Sequence, residues 1–92
     1  MKQLPTNLKA YKKTDCFTEG TIPAGLLKDH RTTKGVWGKI IVLEGTIKYT
    51  IQSSPIEHIE LNNKKFGVVE PLVLHSVFPV GMVMFYVEFY KE

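Results

Sequence analysis

From Thr46 to Gln52 the chain alternates without a break. Ile47, Tyr49 and Ile51 fall on one side; Lys48, Thr50 and Gln52 fall on the other. A period of two places these groups on opposite faces of a strand, whereas a helix would scatter them around its axis. The segment is therefore a strand with one buried and one wet face. Just before it, Trp37–Leu43 reads WGKIIVL, a nearly continuous apolar run rich in β-branched residues. That composition predicts a strand covered on both faces. Glu44-Gly45 lies between the two, and glycine accepts positive φ, so a tight hairpin is predicted there.

The same reading extends along the chain. Pro23-Ala24-Gly25 predicts a turn, followed by a short strand over Leu26–His30. Ile56–Leu61 and Phe66–Val69 are predicted strands on either side of the Asn62-Asn63-Lys64-Lys65 turn. Pro71 ends the second of these. Leu74–Phe78 is a predicted strand ended by Pro79 and Gly81, and Val83–Tyr90 is the last and most aromatic one. Residues 1–15 read as an irregular, polar arm. No stretch has a long 3.6-residue period. Seven or eight short, evenly spaced strands point to an all-β sandwich or barrel.

Length and composition narrow the class. With 92 residues, residues 1–92 form one domain. A chain this small buries a modest share of its surface, and association would relieve that. The final strand strengthens the expectation of a homodimer. Val83, Phe85, Val87 and Phe89 make one apolar face, and Met84, Tyr86 and Tyr90 make a second that a partner must cover. No segment approaches the ~18 apolar residues of a membrane span, and no apolar run follows the N-terminal lysines as in a signal peptide. The single cysteine, Cys16, forms no internal disulfide and fits a reducing compartment, so a cytoplasmic location is expected. Residues 1–46 hold eight Lys/Arg against four Asp/Glu, and residues 47–92 hold four against five. The excess comes from Lys2, Lys9, Lys12 and Lys13. This is a solvated basic face rather than a nucleic-acid footprint, since no Arg-rich stripe or recognition helix accompanies it.

Several pieces, taken in order, carry a resemblance. They are Gly35-Val36-Trp37-Gly38-Lys39, the Leu43-Glu44-Gly45 corner, Glu70-Pro71 with His75 four residues later, and Phe89-Tyr90. Together, from about Pro23 to Tyr90, the chain resembles the TehB/YeaR-like domain family, a small cupin-like family related to tellurite resistance. The resemblance implies a cupin-like double-stranded β-helix, an antiparallel β-barrel or jelly roll. It also implies a stand-alone module without the methyltransferase domain that TehB carries. No Gly-rich loop opens a helix that would cradle a nucleotide cofactor, so none is expected.

Cupin-like barrels place function in the barrel mouth. The usual metal set has two histidines one residue apart, a nearby carboxylate and a later histidine. Here His75 matches the later histidine. The first motif keeps one histidine, His30, and Gly38 stands where the carboxylate is expected. A reduced site of His30 and His75 is expected across the mouth, with Glu88 proposed by strand alternation as a third ligand for a zinc-like divalent metal. His58 falls on the polar side of its strand. Met82 and Met84 read as gap-fillers. The favoured function is a non-enzymatic module that binds a small ligand or metal ion, with no nucleic-acid or membrane partner. The alternatives are a small metal-dependent enzyme using His30 and His75, and a regulatory partner module for a methyltransferase.

Overall fold

A computed structural model describes all residues, 1–92. It is antiparallel and nearly all β, without an α-helix. Six strands follow in order: β1 Lys9–Lys13, β2 Phe17–Thr18, β3 Trp37–Ile51, β4 Glu57–Leu61, β5 Gly67–Val69 and β6 His75–Lys91. They form one sheet in the order β1-β6-β3-β4, with β2 beside β6 and β5 beside β3. The sheet does not close on itself, and its architecture is compatible with a cupin-like or jelly-roll fold.

Two strands are far longer than expected. Glu44-Gly45 is not a hairpin, and β6 does not stop at Pro79 or Gly81. β3 runs through 15 residues and β6 through 17, paired antiparallel along most of their length. Their ladder is the spine of the fold. Gly45 and Gly81 both have positive φ, at 80° and 69°. The register shifts twice around Glu44: from Val42 to Glu44 β3 advances two positions while β6 moves one, from Phe85 to Met84, and from Glu44 to Thr46 it advances two while β6 moves four, from Met84 to Val80. These are β-bulges, which bend a strand without ending it.

The bulge also corrects parity. Gly38, Ile40 and Val42 face inward before it, and Ile47, Tyr49 and Ile51 after it. Inward residues change from even to odd, which a regular strand cannot do. For the same reason Trp37–Leu43 is not covered on both faces; Leu43 is exposed. The bend folds the spine over a single core of eleven residues, among them Ile40, Ile47, Tyr49, Leu61 and Phe85. Tyr49, on one half, donates its hydroxyl to Val68 O at 2.9 Å on β5, which pairs with the other half. Glu19 supports the bend from outside by accepting the Val83 N–H at 3.0 Å. That backbone hydrogen bond holds its carboxyl below the usual range.

The predicted strand at Leu26–His30 is absent. Ala24–Leu26 is a single 3-10 turn, and only His30 makes a β-bridge. The N-terminal arm is not irregular throughout, because β1 pairs with the end of β6 as an edge strand exposed along its length. Lys9, Lys12 and Lys13 therefore lie on a sheet edge, where lysines deter pairing with another chain. The second face of β6 is half-buried rather than bare, with Lys13 5.8 Å from the Tyr86 ring. Met82 is no gap-filler, being 81% exposed.

Candidate functional site

The turn after Glu70-Pro71 sets up the site. Leu72 takes φ 68°, an uncommon conformation for a bulky residue. Its N–H donates to Thr32 O at 3.1 Å, tying this turn to the loop after His30. The chain then enters β6 at His75, opposite Ile51 of β3. On the other side of His75 lies His30, and the two exchange backbone hydrogen bonds of 2.9 and 2.8 Å. The predicted approach of the two histidines is thus a direct antiparallel bridge. Their ring centroids are 4.1 Å apart with a 55° tilt, and the Tyr49 ring stands edge-on 5.8 Å from His75.

Both imidazoles are oriented in the same way. His75 Nδ1 lies 3.1 Å from Val73 O, and His30 Nδ1 lies 3.4 Å from Lys28 O. A carbonyl only accepts, so Nδ1 carries the hydrogen in each neutral ring and Nε2 holds a lone pair. His75 is buried, at 3% exposure. Burial disfavours its charged form and lowers its pKa to about 4; His30 adds to this, while the Val73 carbonyl and Asp29 oppose it. His75 is therefore neutral at pH 7. The pair opens onto a cavity of about 50 Å³, whose walls include Leu26, Ile40, Val77, Phe85 and Phe89.

The other sequence candidates lie elsewhere. Glu88 sits between Val87 and Phe89, which line the cavity, and so projects from the opposite face. There it is paired in register with Lys39 and Lys13, and it accepts the Tyr90 hydroxyl. His58 is exposed on β4, with Nδ1 3.2 Å from the Thr50 hydroxyl. Thr14 and Thr32 also reach the cavity. Their isolated positions in loops carry no periodic signal.

Does the site fit the divalent metal of cupins? A zinc centre takes three or four protein ligands. No group of three or more His, Cys, Asp or Glu side chains gathers anywhere in the fold. Gly38 faces inward, but a Cβ there would lie 3.0 Å from that of Val69, so the position is filled by packing. With Glu88 on the outer face, two imidazoles remain. They do not fit a tetrahedral divalent centre.

An antiparallel, cupin-like β fold with a paired-histidine cavity is the class that this architecture defines. The profile of the TehB-like domain family matches residues 12–87, and the chain belongs to that family. It is 32% identical over 78 residues to the probable S-adenosyl-L-methionine-dependent methyltransferase TehB of Haemophilus influenzae, a match covering 80% of this chain and 27% of that protein. The crystal structure of Haemophilus influenzae TehB superposes with a TM-score of 0.86 at 25% identity, over 95% of this chain and 32% of the other. A solved protein from Escherichia coli K12 has the same fold at similar size, with a TM-score of 0.84 at 23% identity, covering 98% of this chain and 96% of that one. No helix is long and apolar enough to cross a membrane.

Proposed function

We propose that this domain is a non-enzymatic binding module that holds a small ligand in the cavity over His30 and His75. The observation that carries the reading is the paired imidazoles, tied to one tautomer and facing an apolar cavity. A general base works best with a pKa near the working pH. His75, near 4, is a poor base at pH 7 but a durable hydrogen-bond acceptor. Long-range proton–nitrogen NMR of the imidazole rings tests this with four probes: methylammonium chloride, hydroxylamine, sodium nitrite and zinc chloride. At least one is expected to shift the His30 and His75 ring nitrogens saturably while leaving His58 unmoved. Replacing His75 by alanine abolishes the effect, and replacing His58 preserves it. If no probe moves either ring at millimolar concentration, the reading fails.

The module is further proposed to act as a homodimer, through a surface other than the one expected. Phe78, Val80 and Met82 form an exposed stripe on β6, at 64%, 47% and 81% exposure. Their neighbours on β3 run from Lys48, opposite Phe78, to Glu44, opposite Met84. A two-fold axis through the middle of the stripe would set Glu44 of one copy against Lys48 of the other, so the surface complements itself. Sedimentation of the wild type is expected to show a dimer at micromolar concentration, and Phe78→Lys a monomer. A wild type that stays monomeric there refutes the interface.

A further inference from the structure

The cavity is lined by four polar side chains, Thr14, His30, Thr32 and His75. Each gives its only donor hydrogen to a backbone carbonyl. Thr14 Oγ1 donates to Asp15 O at 2.9 Å and also accepts the Val87 N–H at 3.0 Å. Thr32 Oγ1 donates to Val36 O at 2.6 Å. His75 Nδ1 donates to Val73 O at 3.1 Å, and His30 Nδ1 donates, less closely, to Lys28 O at 3.4 Å. Tyr49, beside His75, gives its hydroxyl hydrogen to Val68 O. With the rings neutral, no side-chain donor is left to face the cavity. What remains are lone pairs: Nε2 of His30, Nε2 of His75 and the threonine oxygens. Every fully enclosed side-chain nitrogen and oxygen has a partner. Nε2 of His75 has none within the chain, so it is not fully enclosed, and His75 is among the residues that line the cavity.

We infer that the ligand of this cavity is a small nitrogenous hydrogen-bond donor, of the ammonium or primary-amine class, and that the cavity rejects anions. This rests on the binding-module reading and specifies its ligand. The few polar atoms that line this mostly apolar cavity are acceptors, so an oxyanion would find no donor there and its own lone pairs would go unpaired, which is unfavourable. Two imidazole lone pairs in one small cavity call for at least two donor hydrogens. A simple alcohol has one; ammonium and primary ammonium ions have three or more. At about 50 Å³ the cavity admits only a few heavy atoms, far below the ~300–1,000 Å³ of pockets for larger ligands.

The test is a titration of the wild-type chain at pH 7.5 and constant chloride, read at the His75 Nε2 resonance. The arms are ammonium chloride, methylammonium chloride, sodium nitrite, sodium formate and zinc chloride. The two nitrogen donors are expected to shift Nε2 saturably and at least tenfold more tightly than either anion. His75→Phe, which keeps an aromatic ring in place, and the milder His30→Gln are each expected to weaken methylammonium binding at least tenfold. For the His75 variant, binding is read at His30. Tighter binding of nitrite or formate than of methylammonium would overturn the inference while leaving a binding module. Saturation by zinc with no response to the amines would do the same. Silence in every arm would overturn both. The titration of the wild type decides the matter even if a variant fails to fold.

Discussion

Replacing Gly45 by alanine is expected to cost about 2–5 kcal/mol of stability, a large share of the ~5–15 kcal/mol typical of a domain. Two effects add. Gly45 has φ 80°, and a left-handed backbone costs a non-glycine residue ~1–2 kcal/mol. The added Cβ would then fall 2.2 Å from Met82 O and 3.1 Å from Val83 Cα, which belong to the backbone of β6. Backbone cannot swing aside as a flexible side chain can, and overpacking of this kind costs ~1–3 kcal/mol more. Other glycines serve as controls. Gly81→Asn keeps a residue that tolerates positive φ in open space, and Gly20→Ala meets nothing within 4 Å at an ordinary φ. Both are expected to stay within ~0.5 kcal/mol of wild type, the usual range for surface changes. Urea unfolding measures all three. A Gly45→Ala variant as stable as Gly20→Ala would show that the bulge does not need the glycine.

The second large effect is a loss of stability in acid, traced to His75. The unfolded histidine has a pKa near 6.5, and burial lowers it to about 4 in the folded chain. Between those values the unfolded state binds more protons, so stability rises with pH there. Read downward, the loss begins as pH falls below about 6.5 and is complete below about 4. Its size is at most about 3 kcal/mol. For a domain of this length, that lowers the melting temperature by roughly 10–20 °C. Glu57, held below the usual carboxylate range by the N-terminal ammonium, and Glu19 act in the same direction at lower pH. His75→Gln isolates the histidine, because a glutamine does not titrate. Melting curves from pH 7.5 to 4 are expected to fall more steeply for wild type than for the variant. Parallel curves would mean that His75 is not held neutral by the fold.

Much of the fold is legible in the residues themselves. The alternation of Ile47, Tyr49 and Ile51 defines an inner face, and the structure keeps all three in the core. The turn at Asn62–Lys65 stands where it is expected. Gly45 and Gly81 predict a hairpin and a strand end; neither forms, and both glycines, at positive φ, lie where the β3–β6 ladder shifts register. A glycine at positive φ serves a hairpin and a bulge equally well, so local sequence cannot say which one forms. The facing strand decides. β6 runs alongside β3 on both sides of Gly45, and pairing continues through the bend.

The site divides in the same way. That His30 and His75 are polar groups on predicted strands is a property of the sequence. That they meet ring to ring, after a long separation in the chain, depends on one bridge between a loop and the start of β6. Glu88 illustrates the limit of alternation. The period of two separates the faces of β6, but it does not say where a chemical group must point. With Val87 and Phe89 lining the cavity, Glu88 is turned toward Lys13 and Lys39 on the neighbouring strands. The lysines of β1 became an edge, and Phe78, Val80 and Met82 became a bare stripe, for a related reason. Sequence determines which residues share a face of a strand, because the backbone sets that locally. Which face is buried, and what lies across from it, is decided by the partner strand and the bend of the spine.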